Sequence, residues 1–376
     1  VADLNTLPVV PTVRQPRGAV KLNGTIVVGW ETWEVDNNRY QAADTFRVTF
    51  PMASLPAGFG IDWFASQASI MVEIFGNEAP ADPSNYAPAA SDSQILGQTD
   101  HIAIDMNARE IELSGRDLTA KLIDTKTSEN HQNATSSQVA TILATREGLT
   151  PVVTATTTRI GQYYEIDHTD LSQQRSEWDL LTKLAEYEGF DVFVVGKELH
   201  FGPKTQDTGS RYAIVWTEPT DDSPYPTANA TTLSFSRDLT IAKGVSVEVR
   251  SWNAKQKKAF TAAWPKNVRS TRPGQASNNN LTYHFTIPGL TQDQASLRAQ
   301  QLYNQIVQHM ISMEASMPAD RILNCSIALQ VRGTGTALDQ VYYPDSVKRS
   351  MSVSEGYRMT VSAKNVSQDI EAADQS

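Results

Sequence analysis

The chain has 376 residues and a formal net charge of −10, from 32 Lys and Arg against 42 Asp and Glu. Its apolar fraction is 40%, and Val, Ile, Leu and aromatic residues recur throughout, which excludes a disordered chain; a single cysteine, Cys325, excludes an internal disulfide framework and a cysteine-cluster metal site. No apolar run approaches the ~20 residues of a membrane helix, and the first residues lack a basic start followed by an apolar stretch, so neither a membrane segment nor a signal peptide is expected.

Residues 1–19 carry Pro8, Pro11 and Pro16 and little periodicity, and read as an extended arm. Strand-like texture follows at 21–35, 44–51, 69–78, 98–106 and 109–115. Arg47-Val48-Thr49-Phe50 and His101-Ile102-Ala103-Ile104-Asp105 alternate polar and apolar, the period that buries one face of a strand and wets the other. Residues 77–93, rich in Pro, Ala and Ser, predict a long connecting loop. After residue 122 helical patterns enter. Residues 136–148 predict a helix capped by Ser136 or Ser137, with Val139, Ile142 and Leu143 on one face and Gly148 as its stop. Residues 176–189 predict a second: Ser176 and Asp179 form a capping pair, Trp178, Leu181, Leu184 and Ala185 a stripe, and Gly189 the end. Residues 190–195 and 198–201 predict a hairpin turned at Gly196-Lys197.

Residues 207–230 read as loop. Strands are expected at 231–238, 244–252, 281–287, 323–331 and 356–366, with a helix from Thr291 to about Ser312 opened by a Thr291–Gln294 capping box. The two β-rich blocks, before 122 and after 230, suggest a duplicated barrel. The expected fold class is β-rich α+β: two similar antiparallel β-barrel domains, an α/β lobe between them, and a partly helical insertion in the second barrel. The expected boundaries are an arm at 1–19, barrel one at 20–122, the lobe at 123–207, a split barrel two at 208–255 and 320–366, an inserted lobe at 256–319, and a tail at 367–376. Strands 244–252 and 323–331 are expected to share a sheet, because neither has partners enough alone.

Charge is uneven. Between Val249 and Gln292 there is no Asp or Glu, while Arg250, Lys255, Lys257, Lys258, Lys266, Arg269 and Arg272 give that stretch +7 and leave −17 for the rest. The segment is a solvated loop, a docking patch for an acidic partner or, with Trp252, Phe260 and Trp264 interleaved, a site for single-stranded nucleic acid.

No phosphate-binding loop, dinucleotide fingerprint, zinc-protease or serine-hydrolase motif is present. His168 and Asp170 could share a face, but two ligands do not make a metal site. Cys325, in an apolar setting, reads as an inert thiol. No catalytic residue, cofactor or metal is expected. The Trp, Tyr, Asn and Gln content leaves a carbohydrate-binding or adhesive β-protein as an alternative, and the many carboxylates a peptidoglycan-active enzyme.

The stretch 112–203 carries a resemblance. The sequence Gly115-Arg116-Asp117, a helix of the form S-x-W-D-x-L-x-x-L-A-x-x-x-G, and a hairpin ending L-H-F-G (Leu199, His200, Phe201, Gly202) resemble the baseplate hub proteins of contractile tails, the late control protein D family in its Mu-like form. In that family the Gly-x-Asp is a turn closing the first barrel. Ser176, Trp178, Asp179, Leu181, Leu184, Gly189, Phe201 and Gly202 match as a structural signature and bring no catalytic role. The resemblance implies a homotrimeric ring of pseudo-sixfold symmetry. It implies as partners the tail tube protein above, a central spike protein below and baseplate wedge proteins outside, with DNA passing through the channel without specific binding. It places the protein in the virion, made in the cytoplasm of a bacterial host. An end at Ser376 suits a hub whose spike is a separate chain better than the fused spikes of type VI secretion. Wedge proteins grip such a hub from outside, so Lys255, Lys257, Lys258, Lys266, Arg269 and Arg272 are expected at the outer rim.

Overall fold

The structure, a computed structural model, describes residues 3–5, 14–39, 42–127, 129, 131, 133–157, 159, 175–203, 210–237, 245–253, 258–265, 281–287, 290–307 and 311–365. It is β-rich α+β. Seven strands come first: β1 (Arg17–Leu22), β2 (Thr25–Val27), β3 (Thr32–Asn38), β4 (Thr45–Pro51), β5 (Met71–Asn77), β6 (Ser93–Asp105) and β7 (Glu110–Asp117), with a short helix α1 (Ile61–Ser66) after β4. A lobe follows, built from α2 (Thr119–Asp124), β8 (Lys126–Thr127), α3 (Ser136–Arg146), β9 (Thr150–Val153), β10 (Arg175–Ser176), α4 (Glu177–Glu188), β11 (Phe190–Val195) and β12 (Glu198–Pro203). Then come β13 (Tyr212–Thr217), β14 (Thr227–Ala228), β15 (Thr232–Arg237), β16 (Val245–Asn253), β17 (Lys258–Trp264), β18 (Leu281–Thr286) and α5 (Gln292–Val307). The last strands are β19 (Ile311–Pro318), β20 (Leu329–Arg332), β21 (Val341–Ser352) and β22 (Gly356–Lys364).

The two β-rich blocks are one sheet. β3 pairs antiparallel with β21, Trp33 opposite Met351 and Asp36 opposite Lys348, so the strand order runs β15-β19-β22-β21-β3-β4-β7-β6 without a break. The first half of β6 carries β5, β1 and β2 into a second layer, and the first residues of β21 carry β20, β13 and β14 likewise. Buried side chains of both blocks, from Val20 and Trp33 to Met313 and Val361, form one core cluster. Gly18 and Gly76 face each other across β1–β5, and the space where their side chains would stand is filled by Trp33, Met351 and Tyr357.

Within the sheet, two four-strand units repeat in register. β3-β4-β7-β6 corresponds to β15-β19-β22-β21. Thr45 to Pro51 face Arg116 to Glu110 across β4–β7, as Ser312 to Pro318 face Lys364 to Arg358 across β19–β22. Each fourth strand is long and carries one bulge against its neighbour, between Thr99 and His101 in β6 and between Pro344 and Ser346 in β21. Backbone bonds outside the ladders match too. Asp117 N–H donates to Asp44 O at 2.9 Å and Asn365 N–H to Ile311 O at 3.1 Å; Met52 N–H donates to Arg109 O at 2.8 Å and Ala319 N–H to Tyr357 O at 3.1 Å.

The lobe has its own core. Trp178, Leu181 and Leu184 of α4 pack with Val139 and Leu143 of α3 and with Val192, Leu199 and Phe201 of the β11–β12 hairpin, to which β9 adds in parallel. Ser176 and Asp179 close a reciprocal capping box, and Gly189 ends α4 at φ +70°. The cap of α3 is Thr135, paired with Gln138, rather than Ser136 or Ser137: both serines are buried, and Ser136 instead bonds Glu188. Ile142 points to solvent, 46% exposed, instead of sharing the face of Val139.

Four further expectations are corrected. Strands 244–252 and 323–331 do not share a sheet. β16 pairs with β17 and β18 under α5, around Val247, Val249, Ala262, Ala295 and Ala299, while β20 pairs with β13 and β21. β16 finds its partners within the insertion, and the main sheet recruits β19 instead. Residues 321–328 are not strand, because Asp320 accepts from the N–H groups of Ile322 and Leu323 and Asn324 turns the chain, leaving only β20 extended. Gly115-Arg116-Asp117 is the end of strand β7 and not a turn; the bare Gly115 lets Phe46 and Gln98 close in. Finally, α5 spans Gln292–Val307, and Ile311-Ser312 belong not to it but to β19, where Ile311 is buried in the main core.

Candidate functional surfaces

The eight-strand sheet has one apolar and one polar face. Core-facing positions such as Val35, Val48, Leu113 and Val361 are fully buried. The opposite positions are mostly Ser, Thr and charged residues across both units, continuous through the β3–β21 seam. Charges on this face are largely paired: Lys348 with Glu34 at 2.7 Å, Arg47 with Glu112 at 3.5 Å, and Arg116 with Asp100 at 2.6 Å and Asp124 at 3.0 Å. A shallow groove of about 300 Å³ opens among Glu34, Asp36, Arg47, Asp100 and Arg116. Its walls are exposed ion pairs, which suits hydrated contact rather than tight ligand capture.

Behind the seam lies a buried polar cluster. Asn38 N–H and the Asn37 side-chain amide donate to the Asp44 carboxylate at 2.7 and 2.8 Å. Arg349, 4% exposed, donates to Asn37 Oδ1 and to the carbonyls of Asp320 and Leu323. Burial pushes the Asp44 carboxyl up to about 6 and the neighbouring Asp117 up to about 7, the charge of Asp44 adding to the latter. The Cys325 thiol donates to Asn37 O at 3.2 Å and is pushed up to about 12, mainly by burial, which leaves it a poor nucleophile. Asp320, also buried, accepts from the Tyr212 hydroxyl at 2.7 Å. Farther out, Arg321 clamps the blocks together by pairing with Asp92 at 2.5 Å and Glu78 at 3.1 Å.

Of the basic patch, Lys258 stands exposed on β17, near the 56%-exposed Trp252 of β16. Lys255, Lys257, Lys266, Arg269 and Arg272 lie outside the described residues, as do His168 and Asp170. The signature residues are structural parts of the lobe: Ser176 and Asp179 cap, Trp178, Leu181, Leu184 and Phe201 are buried, Gly189 terminates, and Gly202 lies opposite Asp191 in the hairpin. Among the described residues no three His, Cys, Asp or Glu side chains are grouped to hold a metal ion, and no helix is long and apolar enough to cross a membrane. The polar face and the seam were not anticipated. β21 goes unnoticed in the sequence because Pro344, its bulge and the buried Arg349 break the alternation; Tyr212–Thr217 goes unnoticed as a nearly unbroken apolar run between loops.

No protein-family model and no curated protein matches the sequence. Solved structures do match. A tail protein from Neisseria meningitidis aligns with a TM-score of 0.68 at 13% identity, covering 93% of this chain and 96% of that one. The 43 kDa tail protein of prophage MuSo2 from Shewanella oneidensis aligns at 0.66 and 16% identity, covering 93% and 98%. A component of the E. coli type VI secretion system, itself similar in structure to the T4 tail proteins gp27 and gp5, aligns at 0.51 and 12% identity, covering 93% and 77%. Over nearly its whole length, the chain therefore has the fold of these tail proteins, shared with a type VI secretion component.

Proposed function

We propose that the chain is the central hub of a contractile-tail baseplate, a structural protein of the virion without catalytic activity. Three copies form a ring that meets a sixfold tail tube on one side and a threefold spike on the other. The observation that carries this reading is the duplication. Two four-strand units of matching register stand side by side in one sheet, so three chains supply six like units, which is what a threefold body needs to meet a sixfold one. The likeness in fold to phage tail proteins supports the same reading.

In this reading each unit closes with its second layer into a small barrel, and the polar face lines the channel. Paired charges and short hydroxyl side chains there would offer DNA no concentrated cationic strip, and the net acidity of the chain would add weak repulsion. The +7 segment, with Lys258 exposed beside Trp252, would face the rim and receive an acidic wedge protein. Mass photometry and negative-stain images of the purified chain test the reading. A threefold ring with a central hole is expected; a species that stays monomeric at every concentration would overturn it.

A further inference from the structure

The two units of the sheet differ at one end. In the matched register, Phe50 and Pro51 of β4 correspond to Met317 and Pro318 of β19. In the first unit α1 follows β4, and the Phe64 ring of α1 stands 6.2 Å from that of Phe50. In the second unit the chain forms no helix between β19 and β20, and Met317 lines a cavity of about 500 Å³. The cavity lies where β19 ends at Pro318 and β22 begins, beside Arg14 and Pro16 just ahead of β1.

Two chemistries meet there. Met317, Ala319 and the Tyr357 ring, none more than 6% exposed, make an apolar wall, to which Pro16 and Pro318 add. The exposed residues at the cavity include two arginines. Arg14 donates to the carbonyl of Ala319 at 3.2 Å and Arg358 to that of Glu355 at 3.2 Å. Neither guanidinium forms an ion pair among the described residues. Each has five N–H donors in a planar fork, so most of both sets are not used by the protein. Of the two acids at the cavity, Glu78 is taken by Arg321 at 3.1 Å, and Glu355 stands exposed on the turn between β21 and β22. The groove on the polar face is different in kind, because its Arg47 and Arg116 are already paired with carboxylates.

We infer that this cavity binds a small amphipathic anion, a carboxylate on an aliphatic or aromatic body. The head group takes N–H donors from Arg14 and Arg358, whose forks match a carboxylate, and the body lies against Met317, Ala319 and Tyr357. A volume within the ~300–1,000 Å³ of small-molecule sites, apolar walls and a few charged groups at the opening are the usual make-up of such a site. Charge selects among ligands. A neutral apolar molecule leaves both guanidiniums unused, and a cation is repelled by them. Every lining residue belongs to one chain, so the site is complete without a second copy and goes beyond the hub reading.

Fluorescence titration of the full chain with anilinonaphthalene sulfonate, an anionic aromatic probe, tests the site. One saturable site per chain is expected. Decanoate should displace the probe and decyltrimethylammonium should not, each below its micelle concentration. Arg14→Gln with Arg358→Gln should weaken binding about tenfold, through the loss of charge-assisted hydrogen bonds to one head group. Thr231→Trp, which fills the cavity from an exposed position, should remove the site while the far-UV spectrum is unchanged. Arg47→Gln, on the polar face, should leave binding as it was. Absence of saturable binding, equal displacement by the cationic detergent, or equal affinity in the double arginine variant and the unmodified chain overturns the inference.

Discussion

Asp345 and Asp100 occupy the same place in the two halves of the sheet. Each is the extra residue of a bulge, and each takes a cation from the adjacent strand, Lys364 at 2.7 Å in one case and Arg116 at 2.6 Å in the other. A bulge bends its strand and increases its twist. In both halves it lies where the long strand leaves the polar-faced sheet for the second layer. Asp345→Ala and Asp100→Ala should each lower stability by about 1 kcal/mol, the scale of a partly exposed ion pair. Urea unfolding of the two variants checks this, and equal losses would mark the two bulges as equivalent parts.

The α/β lobe depends on one aromatic anchor. Trp178 is 6% exposed and packs in the cluster formed by α3, α4 and the β11–β12 hairpin. Trp178→Ala should cost about 3–5 kcal/mol, a cavity penalty on top of the lost transfer energy. Hydrogen exchange should show the loss concentrated in residues 136–203, with the strands of the main sheet still protected.

Stability should fall as pH rises from about 4 to about 7. Asp44 and Asp117 are pushed up to about 6 and about 7 by burial, above the ordinary carboxyl value they regain on unfolding. In this window the folded state binds more protons than the unfolded state. The stabilisation is therefore complete below about pH 4 and lost as pH passes through the folded values. The two carboxyls are neighbours and titrate as a pair. Asp44→Asn with Asp117→Asn should flatten this part of the profile relative to the unmodified chain, measured as urea midpoints at pH 4, 5.5, 7 and 8. An unchanged slope would mean that neither group titrates in the window.

Charge reversal at Lys255, Lys257 and Lys258 to Glu should leave the oligomer intact and weaken attachment of the hub to the rest of the baseplate. Exposed charges steer acidic partners and are screened beyond about 8 Å at physiological salt. Attachment of the unmodified hub should therefore loosen as salt rises. Assembly yield with the variant, followed by electron microscopy of tails, checks the outcome; normal tails would remove this segment from the docking surface.

Some of this organisation was written locally in the chain. The capping pair Ser176–Asp179, the stripe Trp178-Leu181-Leu184 and the left-handed Gly189 define α4 without help from distant residues, since helix caps and stripes span only a few positions. The alternation of β4, β6 and β22 is local too, and with it the β-rich class and the presence of two similar blocks. Partner choice was not local. Nothing in 244–252 says that β16 pairs with β17 and β18, and nothing in 341–352 says that β21 pairs with β3, because strand pairing is a contact between residues far apart in sequence. Arg349 makes the point most sharply. On an alternating strand its charge reads as an outward position, yet it is buried because Asn37, some three hundred residues away, and the carbonyls of Asp320 and Leu323 satisfy it. Sequence set which segments could be strands and helices; only the closing of the sheet, through long-range backbone pairing and shared burial, decided which edges were joined and which were left open.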